Sequence, residues 1–426
     1  MQQLIEKVLK AQGIEKWSIE TVHEYSAELF FIARELDTRR LKETEKYNVK
    51  VYREFESDGE KMLGMSGASF VPGDSEEQIS EGLKTAYFAA SFVENPAYPL
   101  PEKIEGTHAE FNDKIDGVPA ADAAMQMAEA TFSEDHVDNA LLNSIEVFAV
   151  KSLVRIQTSS GTDVSYSRQE INGEFIVQSK QPVDVELYKS FRYDTIACEA
   201  IAEKTRGALK QAADRARAKN QLATGNYNVI LSEDALGSLL SFYTSRTDVS
   251  MVYPGYSSWK IGDQVHKQPM SGEKLNITLK ATKPYSSDGL PMADMPVIAD
   301  GKVLTFHGDS RLSSYLGVKA TGTYDAFTCA NGTVPFEEMK KQPYLYPVAF
   351  SDFKMDIYSG HFGGEMRLAY YFDGETTHIL TGGAINGSIL DCSDDLVFSN
   401  ERYKSLSYEG PYAVLMKNVN VSGTEA

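Results

Sequence analysis

A chain of 426 residues is too long for one ordinary core, so two domains are expected. Its formal net charge of −19 argues against a direct grip on nucleic acid, because an acidic surface repels phosphates and offers few cations to displace their counterions. Its three cysteines, Cys198, Cys329 and Cys392, lie far apart without Cys-x-x-Cys spacing, which points away from a disulfide framework and towards a reducing compartment.

In chain order, Met1–Leu9 reads as the start of an amphipathic helix. It lacks the basic head and apolar run of a signal peptide. No stretch approaches the ~20 apolar residues that span a bilayer, so a cytoplasmic location without membrane contact is expected. From Trp17 to Phe31 the sequence alternates, with Trp17, Ile19, Tyr25, Ala27, Leu29 and Phe31 on one face. Ser18, Glu20, Glu24, Ser26 and Glu28 share the other face, the pattern of a half-buried strand. A second strand over Tyr47–Phe55, a turn at Ser57-Asp58-Gly59 and a return strand over Lys61–Phe70 complete an antiparallel meander.

Asp74 or Ser75 is placed to cap a helix running to about Val93, and Asn95-Pro96 with Pro99-Leu100-Pro101 break the chain after it. A second helix is predicted over Ala120–Phe132. Strand composition returns over Leu141–Gln157, with a hairpin turn at Ser159–Thr162 and further strands up to Tyr193. Thr195–Lys219 carries the strongest helical pattern: Ile196, Ala200, Ala208, Leu209, Ala212, Ala213 and Ala216 form an apolar stripe. Lys204, Arg206, Lys210, Arg215, Arg217 and Lys219 read as its solvated face. Beyond Gly225 the composition shifts to Gly, Pro and aromatic residues in short strands, with little helix apart from Ser232–Thr244. The expected class is α+β. An N-terminal α/β-mixed domain with antiparallel strands and helices covers residues 1–193, a connecting helix covers 194–222, and a mainly β domain, barrel-like or a folded sandwich, covers 223–426.

The most informative segment is Glu233-Asp234-Ala235-Leu236-Gly237-Ser238, which follows the apolar run Tyr227–Leu231 and opens a helix. A zinc protease would place His-Glu-x-x-x-His there, with two imidazoles holding the ion and the glutamate activating a water. Here the two histidine positions are Glu233 and Ser238, and the glutamate position is Asp234. A serine hydroxyl does not replace an imidazole as a zinc ligand. Two carboxylates in a first helical turn are favoured by the helix dipole, with Ser232 as a natural N-cap, and this accounts for them without chemistry. The other reading of the pair is a carboxylate site for a hard cation such as magnesium or calcium.

The stretch Ala218–Leu231, the segments Arg311-Leu312 and Leu316–Gly322, and Leu380–Leu390 resemble, in order and spacing, motifs of the TldD/PmbA family; the N-terminal half agrees in its strand pattern and in Ser57-Asp58-Gly59. In that family TldD-type chains carry the zinc motif and a cysteine near the C-terminus as a further ligand. PmbA-type chains, also called TldE, lack the motif and pair with the TldD type. In this sequence the cysteine position falls at Leu406. The resemblance therefore implies the PmbA arm, with no catalytic residue, metal ligand or cofactor in this chain. It implies zinc in a TldD-type partner subunit, a heterodimer with that partner or a homodimer, and a peptide substrate. The family label, modulator of DNA gyrase, names an association and not a chemistry visible in these residues.

Other candidates are weaker. His23-Glu24-Tyr25-Ser26-Ala27-Glu28 imitates a zinc motif, but on a period-two strand His23 and Glu24 face opposite sides. Gly308-Asp309-Ser310 reads as a turn. His361 and Glu365 flank Gly363-Gly364, which argues against the helix that would bring them together. They motivate an alternative, a self-sufficient metal-dependent hydrolase. A third reading is a homodimeric peptide-binding or scaffold protein, with an extended peptide adding to a strand edge.

Overall fold

The computed structural model describes residues 1–219 and 222–424. Six antiparallel strands form the N-terminal sheet, in the order Glu60–Phe70, Glu35–Ser57, Lys16–Ile32, Leu141–Thr158, Asp163–Ser179 and Val185–Tyr193. The predicted meander forms its first half. Its second turn is tight because Asp58 and Gly59 both take positive φ, as a two-residue hairpin with right-handed twist requires. The helices Gln2–Ala11 and Glu76–Ala90 cover one end of this sheet through Ile5, Leu9, Ile79 and Leu83 against Val49 and Val51. Ser75 caps the second helix in a reciprocal capping box with Gln78. The helices Ala120–Phe132 and Cys198–Ala216 pack Ala124, Met127, Leu209 and Ala212 against Ile145, Val147, Ile171 and Phe175.

The first strand is less one-sided than its alternation predicts. Ser18, Ser26 and Glu28 are buried along with the apolar face. Part of the polar face is covered by the C-terminal half: Tyr285 packs with Val22, Val154, Ile156 and Val164, and Asp288 binds Lys50 at 3.1 Å. Glu28 is offset by an ion pair with Arg40 and a 3.1 Å bond from Ser26 Oγ. The predicted Thr195–Lys219 helix is shorter at both ends. Asp116 takes the Thr195 hydroxyl and the Ile196 N–H, and Lys219 joins the backbone of Ile379 and Thr381 instead. Its basic face is largely exposed as expected, and on it Arg206 binds Glu134 through two bonds of 2.8 and 3.0 Å.

In the C-terminal half, five strands close on themselves. Tyr344–Met355, Gly225–Ser232, Ala413–Ser422, Ala384–Ser388 and His361–Phe372 follow in order, and the last pairs back onto the first. The barrel alternative is therefore the one realised. Against it packs the helix Glu233–Arg246, with Leu236, Leu239, Leu240 and Tyr243 buried among Val229, Leu231, Leu345, Met366 and Val414. A second sheet runs Lys302–Val303, Met295–Ala299, Ile277–Lys280, Ala326–Cys329, Tyr408–Pro411 and Arg402–Lys404. The half also holds short helices at Val249–Val252, Ser310–Leu316, Phe336–Met339 and Ile389–Cys392. The Gly308-Asp309-Ser310 turn is the start of one of them, with Asp309 accepting from Leu312 N–H at 2.7 Å. No helix among the described residues is long and apolar enough to cross a membrane.

His266 pins the loop before Ile277–Lys280 to the end of the Ile389–Cys392 helix. A carbonyl only accepts, so Nδ1–H donates to Ser393 O at 2.9 Å, which leaves Nε2 to accept from Leu275 N–H at 3.1 Å. The ring is buried, and burial holds its pKa below the ordinary 6.5. On acidification the unfolded chain therefore takes this proton first. The contribution of the neutral ring is whole above pH 6.5 and is lost as pH falls towards the folded value. The denaturation midpoint is expected to drop between neutral pH and about pH 5, and His266→Gln should flatten that drop, as measured by thermal unfolding across pH.

Candidate functional site

The Glu233–Arg246 helix begins directly from the barrel strand Gly225–Ser232, without a connecting loop. Ser232 occupies the N-cap position, but its hydroxyl does not cap. It bonds the Tyr346 hydroxyl at 2.9 Å, which corrects the sequence expectation. Glu233 turns the chain with a φ of 54°, a left-handed conformation costly for a residue with a Cβ. Its N–H is held by Tyr412 O at 2.9 Å. Asp234, Ser238, Ser241 and Ser245 then recur at helical spacing along one wall of a cleft of ~510 Å³. Opposite them stand Ser190 from the N-terminal sheet, Asp325 and Phe327 from the second sheet, and Ser407. A second hollow shares Asp325, Phe327 and Ser407 and contains Leu406.

The structure thus brings Asp234 and Ser238 to one wall, with Leu406 in the adjoining hollow. Glu233 lies behind them, where its charge acts on Lys189, Tyr346 and Tyr412. The acidic pair meets the protein's own cations. Asp234 lies 3.7 Å from Lys204 Nζ and accepts from the Tyr403 hydroxyl at 3.0 Å. Burial lowers the pKa of the Lys189 ammonium, with Glu233 pulling the other way. Burial, reinforced by Asp234 and Glu233, pushes the Tyr193 phenol up to about 12.

This donor set does not fit zinc. The motif positions offer Asp234, already paired with a lysine and a tyrosine, together with Glu233, a serine and a leucine, and no imidazole or thiolate. Burial pushes the thiols of Cys329 and Cys392 up to about 12, so both are protonated at neutral pH. Among the described residues, no three His, Cys, Asp or Glu side chains are grouped to hold a metal ion. The other sequence candidates stay apart. His23 lies on a strand, stacked on Phe111 and bonded to Glu43 at 2.7 Å. His361 and Glu365 lie four residues apart on one strand, paired with Ser388 and Ala384 and bonded to Ser359 and Ser351.

Residues 224–423 match the PmbA/TldA metallopeptidase C-terminal domain. The C-terminal half of the chain is thus similar to the PmbA/TldD metallopeptidase family. No curated protein matches the sequence. Solved structures share the fold over the whole length. A proposed modulator of a DNA gyrase from Thermotoga maritima superposes with a TM-score of 0.78 at 16% identity, covering 99% of this chain and 100% of its own. TldE from Thermococcus kodakarensis superposes at 0.77 with 14% identity, covering 99% and 100%. A further proposed gyrase modulator from Bacteroides thetaiotaomicron superposes at 0.75 with 14% identity, covering 99% and 98%. Of the stretch Ala218–Leu231 that first suggested the family, Asn220 and Gln221 lie outside the described residues.

Sequence reasoning missed Lys189, Tyr403, Asp248 and His307. Each reaches the site from a different element, and their spacing in the chain carries no signal. The serine stripe was legible, since Ser238, Ser241 and Ser245 continue the helical period from Asp234. The protonated state of the buried thiols has a direct check. At pH 8 the native chain is expected to release at most one equivalent of thionitrobenzoate, from the partly exposed Cys198, and three in denaturant. Rapid native labelling of two or more thiols would show a thiolate in the fold.

Proposed function

We propose that this chain is a TldE-like, non-catalytic subunit that pairs with a zinc-bearing TldD-type chain and helps to hold peptide for cleavage. One observation carries this reading. At the helix start where the metalloprotease motif would sit, Asp234 is tied to Lys204 and Tyr403, and Glu233 faces the field of Lys189. Ammonium groups there oppose a catalytic cation, and a serine ends the motif. The family of the C-terminal domain and the shared fold with TldE support the assignment to this arm. For the partner, the first hairpin offers a surface: Ile32, Leu36 and Leu41 stand exposed on an arm whose outer edge is unpaired by the third strand until Tyr47. Isolated apolar side chains set among charges on such an arm are contacts that a partner with a polar rim would cover.

The test compares the isolated chain with its mixture with a TldD-type subunit on an unfolded peptide substrate. The chain alone is expected to cleave no faster than buffer, and the mixture to cleave in a chelator-sensitive way. Chelator-sensitive cleavage by the isolated chain would overturn the reading. Leu36→Asp together with Leu41→Asp is expected to weaken co-elution with the partner by about tenfold or more while leaving the thermal midpoint of the lone chain unchanged.

A further inference from the structure

The far end of the cleft holds an arrangement that neither the barrel nor the degenerate motif explains. His307 is 3% exposed, and its backbone is held on both sides, by Thr247 O at 3.1 Å and Val249 N at 2.8 Å. Its Nε2 lies 3.1 Å from Thr244 O. That carbonyl only accepts, so Nε2 carries the hydrogen and Nδ1 presents a lone pair. Nδ1 is buried and has no hydrogen-bond partner. The nearest carboxylate oxygen, Asp248 Oδ2, is 3.7 Å away, too far for a direct bond. The other oxygen of Asp248 is occupied, capping the Val249–Val252 helix through Ser250 N–H at 2.8 Å. Two acceptors therefore face each other with no donor between them, and both residues line the cleft. An unsatisfied buried acceptor of this kind costs about 1–3 kcal/mol and calls for a partner.

The chemistry of that partner follows from the walls. Asp248 and Asp325 line the cleft with no lysine or arginine among its lining residues, whereas Asp234 is already paired with Lys204. The field is negative, so the donor is favoured as a cation. A metal ion would need a third ligand beside His307 and Asp248, and no such group of three exists among the described residues. An ammonium has three N–H donors and tolerates looser geometry. Ser241 and Ser245 stand on the same wall as further acceptors.

We propose that the Asp248–His307 pair is a binding site for a primary ammonium group, carried by a peptide as its α-amino terminus or as a lysine side chain. The inference deepens the peptide-holding reading above and rests on it for the owner of the ammonium. It does not depend on the partner subunit.

The test is titration calorimetry on the isolated full chain with three pentapeptides of one sequence background. One has a free amino terminus and no lysine, one is N-acetylated without lysine, and one is N-acetylated with a central lysine. At least one of the two cationic peptides is expected to bind about tenfold or more tightly than the uncharged peptide. Preference for the first assigns the site to the chain terminus, and preference for the third to a lysine side chain. Asp248→Asn keeps a capping side chain while removing the charge, and it should abolish that preference. The acetylation comparison on the unmutated chain is independent of how the variant folds. Equal affinity for charged and uncharged peptides, no binding of either cationic peptide, or a preference that survives in folded Asp248→Asn would overturn the proposal. A chain that fails this test yet supports cleavage with its partner overturns the ammonium site alone. A chain that passes it but cleaves peptide unaided overturns the non-catalytic reading alone.

Discussion

The closure of five strands into a barrel is the constraint on which the rest depends. Tyr344–Met355 is the strand that makes it possible, because it pairs with Gly225–Ser232 on one side and with His361–Phe372 on the other. Closure removes free edges and fixes where Gly225–Ser232 ends. The chain must then leave the barrel at Ser232 and turn at once into a helix. Glu233 absorbs that turn with a left-handed φ, and its N–H is held by the neighbouring strand connection at Tyr412. The direction of the helix follows, and with it the stripe from Asp234 to Ser245 that forms the cleft wall. The site is thus set by the barrel register more than by any side-chain contact inside it.

Electrostatics decides what such a wall accepts. A helix start carries partial positive charge, which favours anions and disfavours an unshielded metal ion. A metallopeptidase offsets this with neutral imidazoles and a carboxylate. Here the first turn carries two carboxylates, and two lysines from the preceding strand and helix share their charge. The Lys204–Asp234 contact is worth less than about 1 kcal/mol, because Asp234 is well exposed and the pair is screened. Its consequence is for occupancy, not stability: a metal ion would have to displace an ammonium and a phenol before reaching that carboxylate. The carboxylates beyond it, Asp248 and Asp325, stay open to the cleft.

How much of this was legible depends on whether the signal was local. The Ala120–Phe132 helix emerged from sequence with its bounds intact, because a run of Ala and Met after Pro119 has both propensity and a start signal. The meander was legible because alternation is local and Asp58-Gly59 specifies its own turn. The Cys198–Ala216 helix was read too long, because its ends are set by Asp116 and by the Ile379 strand, far away in the chain. The polar face of Lys16–Ile32 was read as solvated because nothing in its own residues announces that Tyr285 and Asp288 will cover it. The candidate site divides in the same way. Asp234 and Ser238 could be placed by helical spacing, and Leu406 only through family resemblance. Tyr403, Asp248 and His307 meet there through the folding of the C-terminal half, and Lys189 only because the N-terminal sheet packs against it.

The same packing bears on how an extended peptide could be held. Strand addition needs a free edge, and the longest one lies on Glu35–Lys46, where the third strand does not reach. That edge carries Arg39, Arg40 and Lys42 beside Glu35, Asp37 and Glu43, the dense charge by which edge strands resist further pairing. The barrel offers no equivalent edge, since its strands pair around the ring. Main-chain capture is therefore disfavoured along that edge and at the barrel. The cleft has the opposite character, with hydroxyls on one wall, carboxylates facing it, and an acceptor pair without a donor at its end. Recognition of a peptide by its charge and by short polar contacts fits these walls, and capture of an α-amino terminus would be as indifferent to side-chain sequence as strand addition is.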